Sequence, residues 1–179
     1  MCTSWLRRKG DIILDDFKTD NGIIDVRVDD RMIHGIVATQ WIPNTKSTRG
    51  MVINESVANN DMIRQTLKMS IPTGVNLSVL TPTKAAENFI NGNYVQQRVF
   101  VVGKDIADIY QLFKLGVEFK RINLGNVTQN TETTIVLDKT VRITASEKAM
   151  LKEIRDSGIL VTCQFRPTDP IITCTSILD

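Results

Sequence analysis

The chain has a single histidine and only three cysteines in 179 residues. Cys2, Cys163 and Cys174 are too few and too scattered for a disulfide framework. One histidine and no Cys-x-x-Cys leave a zinc site without ligands, so no metal is expected. No apolar run approaches the ~20 residues that span a bilayer. A net charge of +2 gives no electrostatic reason to invoke nucleic acid. Neither G-x-G-x-x-G nor G-x-x-x-x-G-K-[ST] occurs, and no cofactor is indicated. Internal repeats and low-complexity tracts are also missing. With 42% hydrophobic and 23% charged residues, the chain suits one globular domain in a reducing, cytoplasmic setting.

Residues 1–22 differ from the rest. The start is basic at Arg7-Arg-Lys9, lacks the apolar core of a signal peptide, and ends at the turn signal Asn21-Gly22. It is expected to be a leader or linker without stable order, with the domain proper over 23–179. From Ile23 onward strands and helices alternate. Strands are expected near 23–28, 50–54, 75–80, 98–103, 119–124 and 159–164, with a strand pair within 133–144. Helices are expected near 35–42, 57–70, 83–91, 105–115 and 146–157. Proline 82 at a helix entry and Gly158 at a helix stop support the punctuation. The pattern predicts an α/β domain: an open, mostly parallel sheet of about seven strands with helices on both faces.

The one histidine, His34, follows the first strand in Arg27-Val-Asp-Asp-Arg-Met-Ile-His-Gly-Ile-Val-Ala38. In open α/β sheets, ligands bind just past the carboxyl ends of strands. A neutral imidazole can attack phosphorus without first losing a proton, since its ordinary pKa is near ~6.5. Such a relay needs a cation for the phosphoryl oxygens, and Arg31 offers a planar fork of donors. Arg27, Asp29 and Arg31 share parity in an extended segment and can project to one side. Asp29 or Asp30 could accept a bond from the imidazole N–H or hold an arginine. Gly35 and the helix start behind it would present backbone N–H groups to phosphate.

This stretch resembles the phosphorylation site of the IIB subunits of the mannose/fructose/sorbose family of the bacterial phosphoenolpyruvate-dependent sugar phosphotransferase system. The resemblance covers residues 23 to 178. It takes in Asn54-Glu55-x-Val-Ala58, Arg121-Ile-Asn-Leu-Gly-Asn126, Gly158 and Pro167-Thr-Asp-Pro170. It implies that His34 receives a phosphoryl group from a phosphohistidine on a IIA domain. His34 would then pass it to a sugar carried by the membrane components IIC and IID, at whose cytoplasmic side the protein would associate. Arg31 carries over as the phosphate-binding arginine, with Arg27 and Gly35 beside it; Asp29 and Asp30 carry over as supporting motif residues. Ile36 departs from the family glutamine. The sugar is left open among mannose, fructose, sorbose and amino-sugars such as N-acetylgalactosamine, and so is homo-oligomerisation.

Two other functions compete. A regulatory or binding module of the same fold would carry an idle histidine, and the apolar Ile36 is the feature that keeps it open. A hydrolase using His34 as a base would need a serine or cysteine nucleophile, and none lies near in sequence. Cys163 sits in a run that reads as a core strand, where cysteine is a common buried hydrophobe.

Overall fold

Strand β1 (Ile23–Asp29) lies inside the sheet, and all seven of its residues are buried. A computed structural model of the chain describes residues 17–128 and 135–174. Six strands run parallel: β1, β2 (Arg49–Ile53), β3 (Asn76–Leu80), β4 (Val99–Gly103), β5 (Arg121–Asn126) and β8 (Leu160–Cys163). The seventh, β9 (Ile172–Thr173), pairs antiparallel with β8, and the sheet order is β3-β2-β4-β1-β5-β8-β9. The expected pair within 133–144 is a separate hairpin, β6 (Ile135–Asp138) with β7 (Val141–Ile143). It is not the source of the seventh strand; residues 133 and 134 lie outside the described residues. β9 has only two residues, too short to leave an alternation pattern.

Two apolar layers cover the sheet. On one face Ile24, Val52, Phe100 and Val102 pack against Val37, Trp41, Ile42 and Leu67. These belong to a π-helical turn (Val37–Trp41), the short α1 (Ile42–Asn44) that continues it, and α3 (Asp61–Ser70). On the other face Val26, Val28, Val101 and Leu124 meet α4 (Pro82–Ile90), α5 (Ile106–Lys114) and α6 (Ala145–Asp156). The chains leaving β1 and β4 thus turn to opposite faces, and the carboxyl edge between them is where open α/β sheets bind ligands.

Local chemistry accounts for the departures from the expected helices. The expected 57–70 helix is two: α2 (Glu55–Ala58) and α3. Asn54 and Asn60 each cap a helix, accepting from the N–H of Val57 and Ile63, and the second cap stops the first helix. In the first helix Pro43 supplies no N–H, and its ring would crowd the carbonyl four residues back. The turn before it widens, with Ile42 N–H donating to the Val37 carbonyl. α6 is capped by Thr144 with Glu147 reaching back, so it starts at Ala145, one residue before the expected bound.

Residues 17–22, expected as part of a leader, pack on the domain. Phe17 is buried, with its ring centroid 4.4 Å from the Arg121 guanidinium carbon. The Asn21 amide donates to the Glu118 carbonyl at 2.9 Å, and Gly22 accepts from Val99 N–H at 2.9 Å. Residues 1–16 lie outside the described residues.

Candidate active site

Asp29 is the last residue of β1, and its carboxylate is the hub of the site. Oδ2 accepts from Arg27 Nε at 3.1 Å and Nη2 at 2.9 Å. Oδ1 accepts from the Arg31 backbone N–H at 3.2 Å and meets His34 Nε2 at 3.2 Å. The pair Arg27–Asp29 is fully buried. Burial pushes the Asp29 carboxyl up, but the bond to His34 and the charge of Arg27 outweigh it and hold the group below the usual carboxylate range. Asp29 is therefore ionised and can only accept. The proton of the bond comes from Nε2, and the lone pair is left on Nδ1.

The chain returns His34 to Asp29 by a tight turn. Met32 N–H donates to the Asp29 carbonyl at 2.8 Å. Met32 itself takes φ 58°, a left-handed conformation uncommon outside glycine. Gly35 then begins a helical turn closed by Ala38 N–H on the His34 carbonyl at 2.7 Å, so the turn's first N–H groups have no partner within it. A Cβ at Gly35 would meet nothing within 4 Å, and the approach over it is open.

Four of the expected residues share this edge. His34 and Arg31 face solvent, with side chains 20% and 47% exposed. Arg31 Nε is 3.9 Å from Asp29 Oδ1, the same oxygen that meets the imidazole. Asp29 and Gly35 lie beside them. Arg27 does not serve as expected. It is buried, its Nη1 donates to the Gln164 carbonyl at 3.0 Å, and its guanidinium carbon lies 5.1 Å from the Trp41 ring centroid. It is a cation under Asp29, not a phosphate contact. Parity placed it on the correct side of the strand but carried no information on depth. Asp30 does not touch His34 either. It accepts from the Asn126 amide, and from Thr128 N–H and Oγ1, each at 2.9 Å, tying the loop after β1 to the end of β5. Ile36 packs against the apolar layer rather than offering a polar group.

Other residues complete the site unannounced. Trp41 is buried, and its Nε1 donates to the Phe165 carbonyl at 2.9 Å. Gln164 spends its amide on the Pro167 and Asp169 carbonyls at 3.1 and 2.8 Å, which shapes the loop whose backbone holds Arg27. The Pro167-Thr-Asp-Pro170 motif pointed to this loop without saying what it supports. Asn54 stays apart as a helix cap bonded to Asp108. Among the described residues no group of histidine, cysteine and acid side chains could hold a metal, and no helix is long and apolar enough to cross a membrane.

Residues 23–179 match the family of PTS system sorbose subfamily IIB components. The chain belongs to this family. It is thus a phosphoryl-relay component of a sugar phosphotransferase system. The N-acetylgalactosamine-specific phosphotransferase enzyme IIB component 2 of Escherichia coli K12 is 30% identical over 157 residues, 87% of this chain and 98% of that protein. The mannose-specific EIIAB component of the same strain is 30% identical over 145 residues, 80% of this chain but 44% of that longer protein. Among solved structures, the IIBSor domain of the Klebsiella pneumoniae sorbose permease superposes with a TM-score of 0.80 at 25% identity, covering 86% and 94% of the two chains. Three sugars appear among three relatives, so family membership does not choose the sugar.

Proposed function

We propose that His34 Nδ1 carries the phosphoryl group. The supporting observation is the buried hold on its other nitrogen: Arg27 pins Asp29, and Asp29 accepts the Nε2 proton. Phospho-IIA presents a phosphohistidine. As the Nδ1–P bond forms, the N–P bond to IIA breaks and its electron pair stays on the IIA imidazole. His34 keeps its Nε2 proton and becomes cationic, and the Asp29 carboxylate faces that charge directly. The Arg31 fork and the open N–H groups after Gly35 hold the phosphoryl oxygens. In the second step a sugar hydroxyl oxygen, delivered by membrane components of the IIC and IID type, attacks phosphorus. The Nδ1–P bond breaks, and the hydroxyl proton leaves to a base on that side. His34 is neutral again, and the protein is a phosphohistidine–sugar phosphotransferase on the cytoplasmic side of its transporter.

The test is incubation with phosphoenolpyruvate, the general phosphotransferase proteins and a cognate IIA. The expected result is an acid-labile phosphate on His34 whose ³¹P and ¹⁵N signals identify Nδ1. No label under conditions that phosphorylate IIA would leave an idle binding module. Label on Nε2 would overturn the orientation by Asp29.

A further inference from the structure

We propose that Gly125 is a positioning residue for phosphoryl transfer, acting through Arg27 and Asp29 on the His34 imidazole. The proposal rests on the relay reading above and names a residue of that site which makes no contact with His34. β1 and β5 pair Val28 with Leu124 and Asp29 with Asn126, so Gly125 is an extra residue opposite no partner. Such a bulge bends its strand and re-aims what lies beside it. Here it brings the Gly125 backbone onto the Arg27 guanidinium. A Cβ at Gly125 would fall 1.8 Å from Arg27 Cζ and 2.0 and 2.2 Å from its two terminal nitrogens.

The backbone of Gly125 is not in the left-handed region, so its conformation would suit any residue. Space alone demands glycine there. Nor can Arg27 step aside at little cost. Its Nε and Nη2 are committed to Asp29, its Nη1 to the Gln164 carbonyl, and the Trp41 ring covers it. The bulge is fixed as well, because Thr140 Oγ1 donates to the Gly125 carbonyl at 2.9 Å. A methyl group at 125 must displace the guanidinium. Asp29 then loses two of its bonds, and with them the fixed direction in which it accepts the imidazole proton.

The single histidine makes the effect directly observable, because the ¹⁵N spectrum of the full chain contains one imidazole. Four proteins are compared: wild type, Gly125→Ala, Arg27→Lys, and the double variant. Wild type should show one neutral tautomer, protonated at Nε2. Gly125→Ala should mix the tautomers and slow phosphate uptake from phospho-IIA by roughly a hundredfold, the scale of a small misplacement of a reacting group. In the Arg27→Lys background, where the fork that alanine would strike is gone, adding Gly125→Ala should change neither readout appreciably. Equal losses from Gly125→Ala in both backgrounds would overturn the proposal, as would a Gly125→Ala protein with wild-type tautomer and rate. If Gly125→Ala fails to fold, the double variant decides. A folded double variant matching Arg27→Lys supports action through Arg27, and an unfolded one refutes it. The tautomer is read on unphosphorylated protein, so a failure of His34 to accept phosphate would show itself separately.

Discussion

Asp29 and Arg31 do different jobs at the same imidazole, and substitution should separate them. The Arg31 side chain is half exposed and held only by a 3.9 Å ion pair to Asp29, while Asp29 is buried under four donors from three residues. Arg31→Lys keeps the charge but loses the bidentate fork. It should slow phosphate uptake at least tenfold while leaving the melting temperature unchanged, as stopped-flow transfer and calorimetry would show. Asp29→Asn should abolish tautomer control and also leave Arg27 buried without its counter-ion. Breaking a buried pair in this way costs about 3–5 kcal/mol. Asp29 also sets a pH signature. Its folded carboxyl titrates below the unfolded value near ~3.9, so its contribution is present above that pH and lost as pH falls through the folded value. Asp29→Asn should flatten the acid limb of stability against pH, and an unchanged limb in denaturation curves would contradict this. The motif brought His34, Arg31 and Asp29 together because they are neighbours in sequence, but left Asp29 and Asp30 as alternatives beside the imidazole. Arg27, Gly125 and Gln164 were opaque as a group, because Arg27 meets the other two across long stretches of chain, which parity along one strand cannot see.

Elements show the same division. The strands buried on both faces were legible from apolar runs such as Val99-Phe-Val-Val102, and each caught its true strand within a few residues. The interruptions were less so. Asn59-Asn60 reads as tolerable in a helix until its capping bond is seen, and the widened turn before Pro43 follows from a ring clash that hydrophobic spacing does not encode. The packing of residues 17–22 was hidden for a related reason: one buried aromatic gives no periodicity. Phe17→Ala removes a ring that lies over Arg121, and should lower stability by about 2 kcal/mol from lost apolar burial alone. Thermal unfolding of the full chain would check it, with a change under a few tenths showing that the segment merely rests on the surface.

At the scale of the whole molecule, alternation of strands and helices was enough for an open, largely parallel sheet, but not for the order β3-β2-β4-β1-β5-β8-β9. That order puts β1 between β4 and β5 and opens His34 to solvent at the sheet's carboxyl edge. In the proposed relay a phosphoryl donor and a phosphoryl acceptor both reach Nδ1 in line, so they use one face in turn. Unphosphorylated IIA should therefore slow transfer from labelled protein to the membrane components as its concentration rises. Transfer untouched at saturating IIA would show that the two partners dock apart.

Beneath Trp41 and Phe17 lies a second buried ion pair, Asp25 with Arg121, both fully enclosed, and among the described residues Arg121 Nη1 has no acceptor. Either partner removed alone leaves an enclosed charge. Both removed together leave only a volume to fill, which similar buried pairs tolerate or even favour. Asp25→Leu and Arg121→Met should each lower the melting temperature sharply, and the double substitution should recover most of the loss. Descent with modification at these two positions is thus expected to move two codons at a time, since each single step leaves an enclosed charge without its counter-ion.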